Sequence, residues 1–170
     1  MDFRFENFVE HWCSIYKPLQ HVPGERSKNK RFFLTDTTYL GMSDFMNSIN
    51  ARTSSCVVME SSVEGTVKGG IDTQQHTIYF FAKAKSTQDG FDAREAMLEA
   101  KGYMTEFLAY LRTKQREGMP ELQRINLDER NGYMSIGPLL NNWYGVYLTI
   151  EDVRQVRICV DKDNYIEGLP

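Results

Sequence analysis

Apolar side chains recur at helical spacing from the first residues of the chain. Phe5, Phe8, Val9, Trp12, Ile15 and Tyr16 stand at i, i+3, i+4 and i+7 positions within residues 3–17, which predicts an amphipathic helix ending near Pro18. The segment Val22–Arg31 mixes Pro, Gly, Ser and Asn with four basic residues and one acid, so it reads as an exposed basic loop. A short strand over Arg31–Thr35 and a short helix over Asp44–Arg52 follow, with Ser43 placed to accept a backbone N–H at the start of that helix.

From Ser54 the period shortens to two. Ser55–Ser61, Val63–Gly69 and His76–Lys85 are predicted strands separated by turn-forming clusters, and an antiparallel meander is their simplest arrangement. In the third of them Ile78, Phe80, Ala82 and Ala84 share one face, while Tyr79, Phe81, Lys83 and Lys85 share the other. Residues 93–116 carry an apolar stripe of Met97, Ala100, Met104, Phe107, Leu108 and Leu111. Asp92 with Glu95 predicts a capping box for this helix, and Gly118 with Pro120 predicts its stop. Gly102 inside it is either a tolerated glycine or a place where another backbone comes close.

The chain then returns to strands. Asn131-Gly132 marks a turn before Tyr133–Ile136, Gly137-Pro138 interrupts, and Trp143–Ile150 resumes. Val146, Leu148 and Ile150 fall on one face of that strand, with Trp143, Tyr147 and Thr149 on the other; a last strand is predicted over Gln155–Val160. The order of elements predicts the α+β class: an antiparallel β-sheet flanked by a long central helix and an N-terminal helix. One domain is expected over residues 1–170, with the basic loop at 22–31 and a polar C-terminal tail at 161–170.

Composition narrows the picture. A length of 170 residues suits one domain, and 41% hydrophobic with 25% charged residues excludes disorder and a long coiled coil. Twenty basic against 23 acidic residues leave a net charge of −3, which argues against a general nucleic-acid binder. Asp2, Arg4, Glu6 and Glu10 interrupt the first ten residues, so no apolar signal-peptide core is expected. The longest apolar runs, Cys56–Met59 and Ile78–Ala82, fall far short of the ~18 residues of a membrane helix, and a cytoplasmic chain with no membrane partner is expected. Phe, Tyr and Trp make up 12% of the chain, and those on two strands lie opposite aliphatic faces. A sheet that is apolar on both sides must be covered twice, by its own helices or by another subunit, and the residues leave both open.

Groups that carry chemistry are scattered. Cys13, Cys56 and Cys159 are an odd number at wide separations, which fits reduced, packed thiols. His11 and Cys13 are two apart and do not converge on a helix, His21 falls near a loop, and His76 starts a strand. Glu64–Gly70 has its glycines in the wrong order for a phosphate loop. Asp161–Gly168 lacks the internal glycine and third acidic position of a calcium loop. The pairs Asp128-Glu129 and Glu151-Asp152 are expected in turns or at a strand end, solvated. No catalytic residue, metal site or cofactor is assigned on these grounds. Arg26, Lys28, Lys30 and Arg31 form a candidate loop for contact with a partner or with phosphate.

The layout as a whole has a likeness. FVEHWCSIYKPLQHV, the basic loop, KRFFLTD, SSCVVMESS, HTIYFFAKA, the long capped helix and IGPLLNNWYGVYLTIEDV together resemble tail terminator or neck (head–tail joining) proteins of tailed bacteriophages, in the form carried by phages and prophages of Bacteroides-like gut bacteria. The likeness covers about residues 5–165. It implies a structural virion protein, not an enzyme, that assembles in the host cytoplasm as a homo-oligomeric ring, commonly a hexamer. Such a ring caps the tail tube protein, offers a docking surface to head-completion or connector proteins, and lets DNA pass through its lumen unread. Tyr79, Phe81, Trp143, Tyr144 and Tyr147 are the candidate subunit or partner interface, chosen on physical grounds. Competing readings are another tail component (baseplate, tube adaptor or head-completion subunit), a small enzyme using Cys56 or Cys159 with a histidine, and a DNA-binding module using the basic loop.

Overall fold

Two long strands organise the molecule. The computed structural model describes residues 3–24, 29–36, 41–49, 52–61, 64–86, 89–126 and 132–156. Helix α1 (Phe5–Ile15), strand β1 (Phe32–Thr35), helix α2 (Met42–Ser48), strands β2 (Ser55–Glu60), β3 (Glu64–Lys68) and β4 (Ile71–Lys83), and helix α3 (Gly90–Arg116) come first. Strands β5 (Ile125–Asn126), β6 (Met134–Leu139) and β7 (Trp143–Gln155) follow. The seven strands among the described residues join one mostly antiparallel sheet, so the mixed class with a long helix and an N-terminal helix is as expected. β4 and β7 pair along their whole length, from Ile71 opposite Gln155 to Lys83 opposite Trp143.

The expected meander does not form. Among the described residues β2 and β3 do not pair with each other; both pair with β4, β2 beside Ile78–Ala82 and β3 beside Ile71–Gln75. The cause is the length of β4, which begins at Ile71 instead of His76, straight after Gly69-Gly70. Those glycines have φ of 59° and 81°, the left-handed values a two-residue hairpin needs. Ladders on both edges then hold the polar run Asp72–Gln75 extended, although its composition is poor for a strand. β7 repeats the scheme on the other side, with β6 beside its first half and β5 beside its second. β1 joins β2 in parallel.

The helices form for local reasons, with two corrections at their starts. α3 begins at Gly90, and Asp89 caps it by accepting the Phe91 N–H at 2.9 Å; the Asp92/Glu95 box therefore lies inside the first turns. α2 is capped at Gly41 and not by Ser43, whose Oγ accepts the N–H of Leu140 at 3.2 Å instead. Gly102 is a tolerated glycine, since a Cβ there would meet nothing within 4 Å. The close approach occurs at Gly145 in β7, where a Cβ would lie 2.5 Å from the Phe80 carbonyl oxygen and from the Phe81 ring. Asn131, Asp128-Glu129, Arg26, Lys28, Cys159, residues 157–160 of the last predicted strand and the polar tail 161–170 lie outside the described residues.

The chain itself covers the first face of the sheet and one end of the second. On the first face Ile78, Phe80 and Ala82 of β4 and Val146, Leu148 and Ile150 of β7 meet Phe5, Phe8, Val9 and Trp12 of α1 and Ala100, Met104, Phe107 and Leu111 of α3. On the second face Cys56, Val58, Tyr79, Phe81, Ile136 and Trp143 are roofed by Met42, Met46 and Ile49 in and after α2.

Candidate functional site

The aromatic residues proposed as an interface separate into three groups. Tyr79, Phe81 and Trp143 are buried beneath α2 and β6, so the chain's own elements cover them and they present no side-chain surface to a partner. Their rings are packed together, Tyr79 stacked on Phe81 at 6.0 Å and Phe81 edge-on to Trp143 at 6.4 Å. The Tyr79 hydroxyl donates to Glu60 at 2.5 Å, which satisfies the one polar atom of that ring. Tyr144 shares the parity of Val146 and packs half-buried against the first face, on the opposite side from the others. Tyr147 alone stays half-buried at the margin of the second core, 5.1 Å from Tyr79, its hydroxyl donating to the Met134 sulfur at 3.1 Å. The register explains the split: the five residues do not share one face, and α2 docks over the end of the sheet where three of them lie.

Beyond Tyr147 the second face is open. Its register brings Ile71, Thr73, Gln75 and Thr77 of β4 alongside Thr149, Glu151 and Val153 of β7, on the same side as Thr66 and Lys68 of β3. Thr77 and Thr149 face each other, their hydroxyl oxygens 3.5 Å apart. Ile71 is 47% exposed, Val153 36% and the neighbouring Met134 60%. This area of threonines, longer polar and charged side chains and exposed apolar ones is the candidate contact surface, and sequence reasoning missed it because its β4 half reads as a turn.

Of the four basic residues singled out in the loop, Lys30 and Arg31 are among the described residues. Lys30 stands over the Phe33 ring with its ammonium 5.2 Å from the centroid, and Arg31 donates to the Lys30 carbonyl at 3.0 Å and to Thr53 at 3.4 Å. The Arg31 backbone N–H donates to Nδ1 of buried His21 at 2.9 Å, while Nε2 of that ring lies 3.1 Å from Glu10. His21 thus ties the start of β1 to α1. Both arginine and histidine act here as structural ties.

The remaining groups do not converge on a reaction centre among the described residues. Cys13 and Cys56 are buried free thiols, and burial pushes both well above the ordinary thiol value, so neither is a thiolate at neutral pH. His11 lines a shallow depression with Phe8, Tyr110, Lys114 and Met119, between α1 and the end of α3. No group of three or more His, Cys, Asp or Glu residues is placed to hold a metal ion among the described residues. No helix among them is long and apolar enough to cross a membrane.

One prediction about carboxylates is overturned. Asp152 is not solvated at a strand end; β7 runs five residues past Ile150, and Asp152 is fully buried on the first face. Its parity with Val146, Leu148 and Ile150 was the available signal. Arg124 and Arg154 both reach it, and His76 lies beside it. Compared as a whole sequence, the chain matches no protein-family model and no curated protein.

Proposed function

We propose that this chain is a structural subunit of a phage tail–neck junction, one that forms a ring on the end of the tail tube and gives head-completion proteins a surface to dock on. The observation that carries the reading is the open half of the second sheet face, where Ile71, Val153 and Met134 stay exposed beside half-buried Tyr147. Flat faces of this composition bury well against a rigid neighbour, and they contain nothing that would bind a small substrate deeply. The layout of helices and strands that resembles tail terminators supports the same reading. The net charge of −3 suits a ring through which DNA slides without being held.

Electron microscopy and native mass measurement of the purified chain, alone and with a tail-tube protein, test this directly. A closed ring with a central hole is the expected result, and Val153→Lys together with Ile71→Lys should return it to monomers without loss of fold. A monomer at high concentration that also fails to cap tubes overturns the reading.

A further inference from the structure

The corner of the first face where α1 begins holds a set of charges that no packing requirement explains. The Asp152 carboxylate is fully buried. Its Oδ2 accepts from Nε and a terminal nitrogen of Arg154 at 2.8 and 2.5 Å. Its Oδ1 forms an ion pair with Arg124 Nε at 2.9 Å, although that N–H is not aimed at the oxygen. The Arg124 guanidinium in turn lies over the Phe3 ring, 5.4 Å from its centroid. One carboxylate is therefore shared by two cations.

His76 sits against this cluster without joining it. It is 4% exposed, and neither ring nitrogen has a hydrogen-bond partner among the described residues. Nε2 is 3.9 Å from Asp152 Oδ2, beyond hydrogen-bond reach, and the imidazole packs on Phe5 of α1 with centroids 5.1 Å apart. The charged groups around it are Glu6 from α1, Arg124 from the segment before β5, and Asp152 and Arg154 from β7. Asp72 lies farther along its own strand and accepts from Gln74. The first turn of α1, which covers the ring, has Arg4 at its N-cap position and no side-chain cap. Phe3 and Phe5 anchor that turn by packing on Phe8.

We propose that His76 is a proton-operated latch, which holds the start of α1 on the sheet while its ring is neutral and releases that turn when the ring takes up a proton. A neutral imidazole fits an apolar seat against Phe5. An imidazolium there needs acceptors on both nitrogens, and the nearest carboxylate is already matched by two guanidiniums. Lifting Phe3 and Phe5 exposes the ring to water at the cost of one uncapped turn. Burial lowers the affinity of His76 for a proton; Asp152 and Glu6 oppose that shift, and Arg154 and Arg124 reinforce it.

The sign follows from linkage. With its folded value below the unfolded one of about 6.5, His76 contributes stability that is fully present above that pH and is lost as pH falls toward the folded value. The opening constant of the first turn should rise by up to about tenfold for each pH unit in that window.

Amide hydrogen exchange on the full chain, corrected for intrinsic rates, reads this opening turn by turn. Between about pH 7 and pH 5 protection over the first turns of α1 should fall, by no more than about tenfold per pH unit, while that of Ala100–Leu111 in α3 holds, and His76→Gln should abolish the difference. An NMR titration of the wild-type imidazole keeps the test independent of whether the variant folds. The latch is overturned by a His76 ring that titrates at or above the ordinary histidine value, or by α1 protection that follows α3 at every pH.

Discussion

Along β4 and β7 the first face of the sheet is lined mainly by aliphatic side chains and the second mainly by aromatic ones, and the two are closed in different ways. The first is closed by α1 and by α3, helices of 11 and 27 residues whose apolar stripes are visible in isolation. The second is closed over half its length by α2, a seven-residue helix without a side-chain cap. A helix so short has little stability of its own and exists because Met42, Met46 and Ile49 dock on Cys56, Phe81 and Trp143. Asn141 ties it to the turn before β7 by donating to Asn47 at 2.6 Å. One face is thus built from elements that bring their own order, and the other from an element that borrows it. The remainder of the second face leaves Ile71 and Val153 exposed.

Truncations should separate the two faces. Phe107→Ala, at the centre of the first face, should cost about 3 to 5 kcal/mol and lower the denaturation midpoint of the whole domain. Met46→Ala should cost about 2 to 5 kcal/mol, chiefly by freeing α2. Fluorescence of Trp143 should then change before the far-ultraviolet signal of α3 does. A single shared transition for both signals in Met46→Ala would erase the distinction.

A smaller effect tests how the second core was fitted. Gly145→Ala places a methyl group 2.5 Å from the Phe80 carbonyl and the Phe81 ring, so both the β4 backbone and the ring must move. Overpacking of this kind should destabilise by about 1 to 3 kcal/mol in a thermal or denaturant melt. A neutral result would mean that the second core is loosely packed. The smallest effect concerns the first face: Asp89→Ala should lose about 1 kcal/mol. Asp92→Ala, already within the helix, should lose less, and the reverse order would restore the capping box as the true start of α3.

Much of the first face is legible in the sequence and much of the second is not. The stripes of α1 and α3 and the alternation Ile78, Phe80, Ala82 against Tyr79, Phe81 are properties of neighbours along the chain, and any fold that keeps the helices and strands must honour them. Asp89 is not distinguishable from Asp92 at that level, because both precede apolar residues and only the backbone geometry selects one. Asp152 could have been placed by parity with Ile150, but nothing local says that β7 continues past Ile150. That depends on Ile125 and on the first half of β4 arriving from elsewhere to pair with it.

By itself the amino-acid sequence determined the class of the fold, the two long-range helices and which side chains share a strand face, since helical and strand periods follow from backbone sterics. The tertiary structure alone decided that β2 and β3 lie end to end on β4, that α2 covers Tyr79, Phe81 and Trp143, and that half of that face stays open. It also set a buried histidine beside a carboxylate already claimed by two arginines. These outcomes depend on hydrogen-bond ladders and burial between segments far apart in the chain, where free energy is settled by what meets, not by what is adjacent.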